Sequence, residues 1–155
     1  MNTKEYRSIC GKFGTGITVI TTKIENNSYG FTANSFTSVS LDPQIILFCL
    51  NIKSDSNAAF QKSKSCAINI LSSSQEEISN IFASSKNSQD ERFKHVSLIE
   101  NEMPVLKGSL AYLIVKIIKF EEIGDHMVYY CQVTDGKRFE GNPLIYAEGK
   151  YQQLL

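Results

Sequence analysis

Between residues 29 and 56 the sequence YGFTANSFTSVSLDPQIILFCLNIKSDS sets small hydroxyl and amide side chains on both sides of an unbroken apolar run. Thr32, Ala33, Asn34, Ser35, Ser38, Val39 and Ser40 precede the run, and Asn51, Lys53, Ser54 and Asn57 follow it. Hydroxyls and amides offer hydrogen bonds without bulk, which suits the rim of a ligand site in a small β-structure. A lysine and clustered hydroxyls at the expected start of a helix also make a cradle for phosphate, since orphan backbone N–H groups and a positive charge then face one anion. The plainer alternative puts the hydroxyls on the solvent face of half-buried strands, with Ser54 capping the helix and Lys53 in water.

Other chemistry is thinly represented. His95 and His126 are the only histidines, so zinc patterns such as HExxH are absent. Cys10, Cys49, Cys66 and Cys131 are widely spaced without a CxxC pair and are expected to be buried, reduced thiols. The glycines of GKFGTG run G-x-x-G-x-G ahead of a strand, which is not a dinucleotide fingerprint, and no G-x-S-x-G elbow occurs. His95 falls in a polar stretch and is expected in water, whereas His126 of IGDHMVYY falls at a strand start just after a tight turn.

These residues need a frame. At 155 residues, 42% of them hydrophobic and 21% charged, the chain suits one domain, residues 1–155, with a single core. Sixteen basic residues balance sixteen acidic ones and form no basic stripe, so nucleic acid is not an expected partner. No apolar run is long enough to cross a bilayer and the N-terminus is polar, which predicts a cytoplasmic protein with no membrane association. Tyr6, Ile9, Cys10 and Phe13 share one face of an opening helix that ends at Gly14. Strands follow at ITVITT, at GFTANSFTSVS, at QIILFCLN (buried on both faces) and at CAINIL. Short helices are expected over 56–62, with Ser54 or Ser56 as the N-cap, and in SSSQEEISNIFASS, a polar loop over SKNSQDERFKHV, then two long strands joined at Gly124-Asp125 and a final short pair in PLIYAEGKYQQL. Seven or eight strands at hairpin spacing with few helices predict a mainly β fold, an antiparallel barrel with short peripheral helices.

The segments KFGTGITVITT, GFTANSFTSVSLDPQIILFCLN, KSDSNAAFQ, CAINIL, PVLKGSLAYL and IGDHMVYY stand in an order and spacing that resembles the flavin reductase-like, FMN-binding split-barrel family. Similarity is greatest to the reductase components of two-component flavin monooxygenases and covers residues 5–151. The resemblance implies an NAD(P)H:flavin oxidoreductase on a split barrel, using FMN or FAD, dimeric, and supplying reduced flavin to a partner monooxygenase. It places Thr32, Ala33, Asn34, Ser35, Ser38, Val39 and Ser40 along the flavin ring and ribityl chain, and Asn51, Lys53, Ser54 and Asn57 at the phosphate. It places His126 and Tyr151 on the nicotinamide side, with His126 the catalytic candidate. Gln44 stands where many members carry a second proline, and the residues around Asn57 also depart from the common pattern. The sequence leaves open FMN, FAD or riboflavin, and NADH or NADPH; Arg92, Lys94 and Lys137 are the candidate readers of a 2'-phosphate. A tightly flavin-binding carrier without nucleotide turnover is the alternative, and a small-ligand carrier without flavin a third.

Overall fold

A computed structural model of the protein describes residues 1–154. The chain runs α1 (Thr3–Gly11), β1 (Thr15–Gly16), β2 (Thr18–Ile24), β3 (Asn27–Ala33), β4 (Thr37–Leu41), β5 (Gln44–Asn51), α2 (Asn57–Lys62) and β6 (Ser65–Ile70). After a 3-10 turn at Ser73–Gln75 come α3 (Glu76–Ala83), α4 (Gln89–Lys94), β7 (Leu98–Ile99), β8 (Val105–Leu106), β9 (Ala111–Ile123), β10 (His126–Arg138), β11 (Ile145–Ala147) and β12 (Lys150–Gln152). The main sheet is antiparallel throughout, in the order β3-β2-β6-β9-β10-β5-β4. β1, β11 and β12 form a small second sheet, and β7 pairs with β8.

β2 is rich in β-branched residues and is buried from Thr18 to Thr22. Its buried hydroxyls are all used: Thr18 Oγ1 donates to Ala33 O at 2.7 Å, Thr21 Oγ1 to Pro104 O at 2.5 Å and Thr22 Oγ1 to Ser65 O at 2.8 Å. Asn69 of β6, fully buried, donates to Val19 O at 3.0 Å and accepts from Leu106 N at 2.8 Å, tying β8 to the sheet. The principal core lies on one face of the sheet, where Phe31, Phe48, Phe60 and Tyr129 pack ring on ring; Phe48 and Tyr129 stack 5.0 Å apart at 12°. A second cluster, Ile17, Val19, Leu71, Phe82, Leu106 and Leu144, lies under α3.

Several expectations need correction. GFTANSFTSVS is two strands: β3 ends at Ala33, residues 34–36 bend, and β4 pairs with β5. Ser35 clamps this bend onto β5 by accepting from Cys49 N at 2.9 Å and donating to Cys49 O at 3.1 Å. β3 and β4 sit at opposite edges of a seven-stranded sheet, yet three residues, which span at most about 10 Å, connect them. The sheet is therefore strongly curled, helped by two bulges in the β9–β10 hairpin. β5 is not buried on both faces: Ile46, Phe48 and Leu50 point into the core and alternate with half-covered neighbours.

The stretch expected as polar loop contains α4. Ser88 caps it in a reciprocal box with Glu91, the Ser88 side chain accepting from Glu91 N at 3.2 Å and the Glu91 carboxylate accepting from Ser88 N at 2.8 Å. α1 ends at Gly11 rather than Gly14 and buries none of its residues, so its apolar face, with Tyr6, Ile9 and Cys10, is open. Only Cys66 and Cys131 are the buried thiols expected of all four; Cys49 is half-buried and Cys10 exposed. No helix among the described residues is long and apolar enough to cross a membrane, and they hold no cluster of metal-ligating side chains.

Candidate functional site

Where β3 ends and β5 leads into α2, the chain opens a cleft of about 680 Å³. One wall is Phe31 to Ser35, from the end of β3 and the bend after it. A second, adjoining wall is Cys49 to Asn51 at the end of β5, with Lys53, Ser54 and Asp55 beyond; Phe82 and Ala83 at the end of α3, and Ser85, also line the cleft. His126 also lines the cleft, because β10 pairs with β5 in a register that sets it opposite Asn51.

The local sequence explains each placement. Gly124 at φ 61° and Asp125 form a two-residue turn, the kind that needs a glycine first, and it delivers His126 to the first pair of the hairpin. Asp125 Oδ1 lies 2.7 Å from His126 Nδ1, and this hydrogen bond, with the imidazole's charge, holds the Asp125 carboxyl below the ordinary carboxylate range. The 51–57 loop is braced internally: Lys53 N donates to Asn51 Oδ1 at 2.9 Å, Ser54 N to Asn51 O at 3.0 Å, and Ile52 N to Asp125 O at 3.1 Å. Lys53 is exposed, and its ammonium bonds to none of the described residues.

The cleft thus unites Thr32, Ala33, Asn34, Ser35, Asn51, Lys53, Ser54 and His126. Other expected residues stand apart from it. Ser38, Val39 and Ser40 lie on β4, Ser38 and Ser40 facing a second cleft of about 530 Å³ shared with Tyr112 and Lys137. Asn57 is turned inward, donating to Ile52 O at 3.2 Å and accepting from the Tyr129 hydroxyl at 3.4 Å. Tyr151 lines a smaller neighbouring hollow of about 290 Å³ that shares Thr32, Ala33 and Asn34 with the main cleft; its hydroxyl lies 2.8 Å from Ser79 Oγ and 2.9 Å from Asn80 Oδ1. Ser54 does not cap α2. The N-cap is Ser56, whose hydroxyl donates instead to Gly30 O at 3.3 Å and accepts from Gln89 Nε2 at 2.9 Å, while Ser54 Oγ accepts from Ser56 N. The cradle therefore rests on Lys53 and the loop, with no helix start contributing.

Among the three cationic candidates only Arg92 lines the cleft, and it is almost wholly buried. Its Nη1 donates to Gly30 O at 2.8 Å and to Asp55 Oδ1 at 3.2 Å, and its Nη2 to Ser84 O at 3.0 Å. Sequence reasoning overlooked Asp55, Phe82, Ala83 and Ser85. The Ser88…Glu91 capping pattern was the available signal, because it starts the helix that carries Arg92 inward.

A cleft of this size, walled by backbone, amides and hydroxyls with a free ammonium beside a hydroxyl, fits a flat ring bearing a phosphorylated tail. Residues 10–155 match the family model of the flavin reductase like domain, and the chain belongs to this family. It is 30% identical over 152 residues to the reductase component of a 4-nitrophenol 4-monooxygenase/4-nitrocatechol 2-monooxygenase from Rhodococcus opacus, covering 97% of this chain and 80% of that one. It is 34% identical over 155 residues to an NADH:FMN oxidoreductase of Rhodococcus qingshengii, covering 95% and 79%. Among solved structures it is similar to a flavin reductase in its native state, with a TM-score of 0.91 at 37% identity over 100% of this chain and 99% of that one. The Streptomyces globisporus C-1027 NADH:FAD oxidoreductase in complex with NAD and FAD fragments superposes with a TM-score of 0.93 at 28% identity, over 99% and 93%.

Proposed function

We propose that the protein is an NADH-dependent flavin reductase that transfers hydride from the nicotinamide to FMN or FAD and supplies the reduced flavin to a partner monooxygenase. The observation that carries this reading is the cleft itself, lined by the Thr32–Ser35 wall, Lys53, Ser54 and His126. When bound, the two nucleotides supply the redox chemistry, so the protein needs no general base and contributes position and electrostatics. Asn34, Ser35 and the neighbouring backbone hold the flavin edge. Lys53 and Ser54 hold its phosphate. His126, oriented by Asp125, packs against the nicotinamide and fixes its approach. The Arg92 side chain is buried and both its Nη groups are engaged by Gly30, Ser84 and Asp55, so a 2'-phosphate finds no accessible reader in it, which favours NADH over NADPH.

The curled sheet, with its two edge strands three residues apart in sequence, supports a split barrel forming one domain. Exposed Val39 and Leu41 on β4, beside Ser38 and Ser40, support a homodimer in which β4 meets a second chain in the cytoplasm. The deciding experiment is NADH oxidation by purified protein with and without added FMN, read with the colour of the protein. Turnover that saturates in FMN is the expected result. A tightly held yellow flavin without NADH turnover would replace the reading with an electron carrier, and neither would make the protein a carrier of another ligand.

A further inference from the structure

Arg92 brings a full positive charge to the wall of the cleft, and carbonyl oxygens take up part of its fork at Gly30 and Ser84. Among the described residues, the carboxylate that meets it is Asp55, whose side chain is about half exposed, 49%, against 4% for the arginine. A buried guanidinium needs a counter-charge, because an unpaired one carries a large desolvation cost. Asp55 provides that charge from the cleft surface, next to Lys53 and Ser54, where the reading above seats a flavin phosphate. The loop does not depend on Asp55 for its shape, since Asn51, Ser54 and Asn57 brace it from within. What Asp55 adds at this place is therefore chiefly its charge.

From this arrangement we infer that Asp55 is a resident counter-ion that determines how weakly the cleft holds a phosphorylated flavin, keeping it an exchanging substrate. An arriving phosphate meets the attraction of Lys53 but also an arginine already neutralised and the repulsion of the Asp55 carboxylate. Both effects act on the phosphate alone and leave the ring contacts untouched. The inference rests on the proposed placement of the phosphate beside Lys53.

The test is calorimetric titration of the full-length protein with FMN and with riboflavin, which lacks the phosphate, for wild type, Asp55→Asn and Lys53→Ala. Asparagine keeps an oxygen for Arg92 Nη1 and removes the charge. Asp55→Asn is expected to tighten FMN about fivefold, equivalent to about 1 kcal/mol, with riboflavin shifted less than about twofold. The FMN dissociation rate should fall by the same factor, and the gain should shrink when salt is raised from about 0.05 to about 0.5 M. Equal shifts for both ligands, or no tightening of FMN, overturn the inference while Lys53→Ala still separates FMN from riboflavin. If Lys53→Ala weakens both ligands alike, the phosphate lies elsewhere and the placement falls together with the inference. Asp55→Ser, with the same expected direction, covers the case in which the asparagine variant does not fold.

Discussion

At the scale of single residues, the lining of the cleft includes a cation, Lys53, and an imidazole, His126. Lys53 is exposed and bonds to the loop only through its backbone N–H, so removing its side chain takes away charge without unravelling the loop. A charge-assisted contact to phosphate is worth roughly 1.5 to 3 kcal/mol. Lys53→Ala is therefore expected to weaken FMN by about ten- to a hundredfold and riboflavin hardly at all, measured by titration. His126 is half-exposed, and its ring is aimed by Asp125. His126→Ala should raise the KM for NADH, lower kcat, or both, with the flavin Kd and thermal midpoint nearly unchanged. Steady-state kinetics at saturating FMN decide this; NADH parameters unaltered in a folded, flavin-binding variant would remove His126 from the site. The positions of both residues were legible in the sequence because a turn or a strand end fixes each of them locally, whereas the choice of His126 as a site residue came from the family resemblance. Asp55 and Arg92 were not legible as a pair, because 37 residues separate them and only the packing of α4 against β3 makes them neighbours.

The same division between local and distant causes holds for whole elements. The β9–β10 hairpin could be read from its Gly124-Asp125 turn, and β2 from its β-branched run. The break after Ala33 could not, since hydroxyl-rich residues continue through it and the bend exists only because Ser35 bonds to β5. Helix α4 was hidden by its polarity, although the capping pair of Ser88 and Glu91 was there to be found. Gly30 shows how tightly α3 is seated on β3: a Cβ there would lie 2.9 Å from Phe82 Cε1 and 3.1 Å from Thr21 Cγ2. Gly30→Ala should therefore cost about 1–3 kcal/mol of stability in denaturant unfolding. Because the shortest of these approaches is to the Phe82 ring, Gly30→Ala combined with Phe82→Leu should lose less than the sum of the two single changes. Strict additivity would mean that α3 moves freely enough to absorb the methyl group.

For the molecule as a whole, the aromatic core sets an upper pH limit. Tyr129 is fully buried against Phe48 and Phe60, and burial pushes its hydroxyl from 10.0 up to about 12. A raised value means that the native state holds the proton more firmly than the unfolded chain. The associated stability is complete below pH 10 and is lost as pH rises through about 12. Unfolding in urea at a series of alkaline pH values should show this decline, and Tyr129→Phe should flatten it; an unchanged slope in the phenylalanine variant would assign the decline to another group. The two outer strands of the sheet also differ in how far their backbones are covered. On β3, Gly30 has both its backbone groups taken, its N–H by Gln89 and its carbonyl by Ser56 and Arg92. On β4, Thr37, Ser38, Val39 and Leu41 are exposed, and the side-chain bond to its backbone among the described residues is a local one, from Thr37 Oγ1 to Ser38 O at 3.4 Å. At Gly30, β3 is therefore closed to an incoming strand, and β4 is the more open of the two edges.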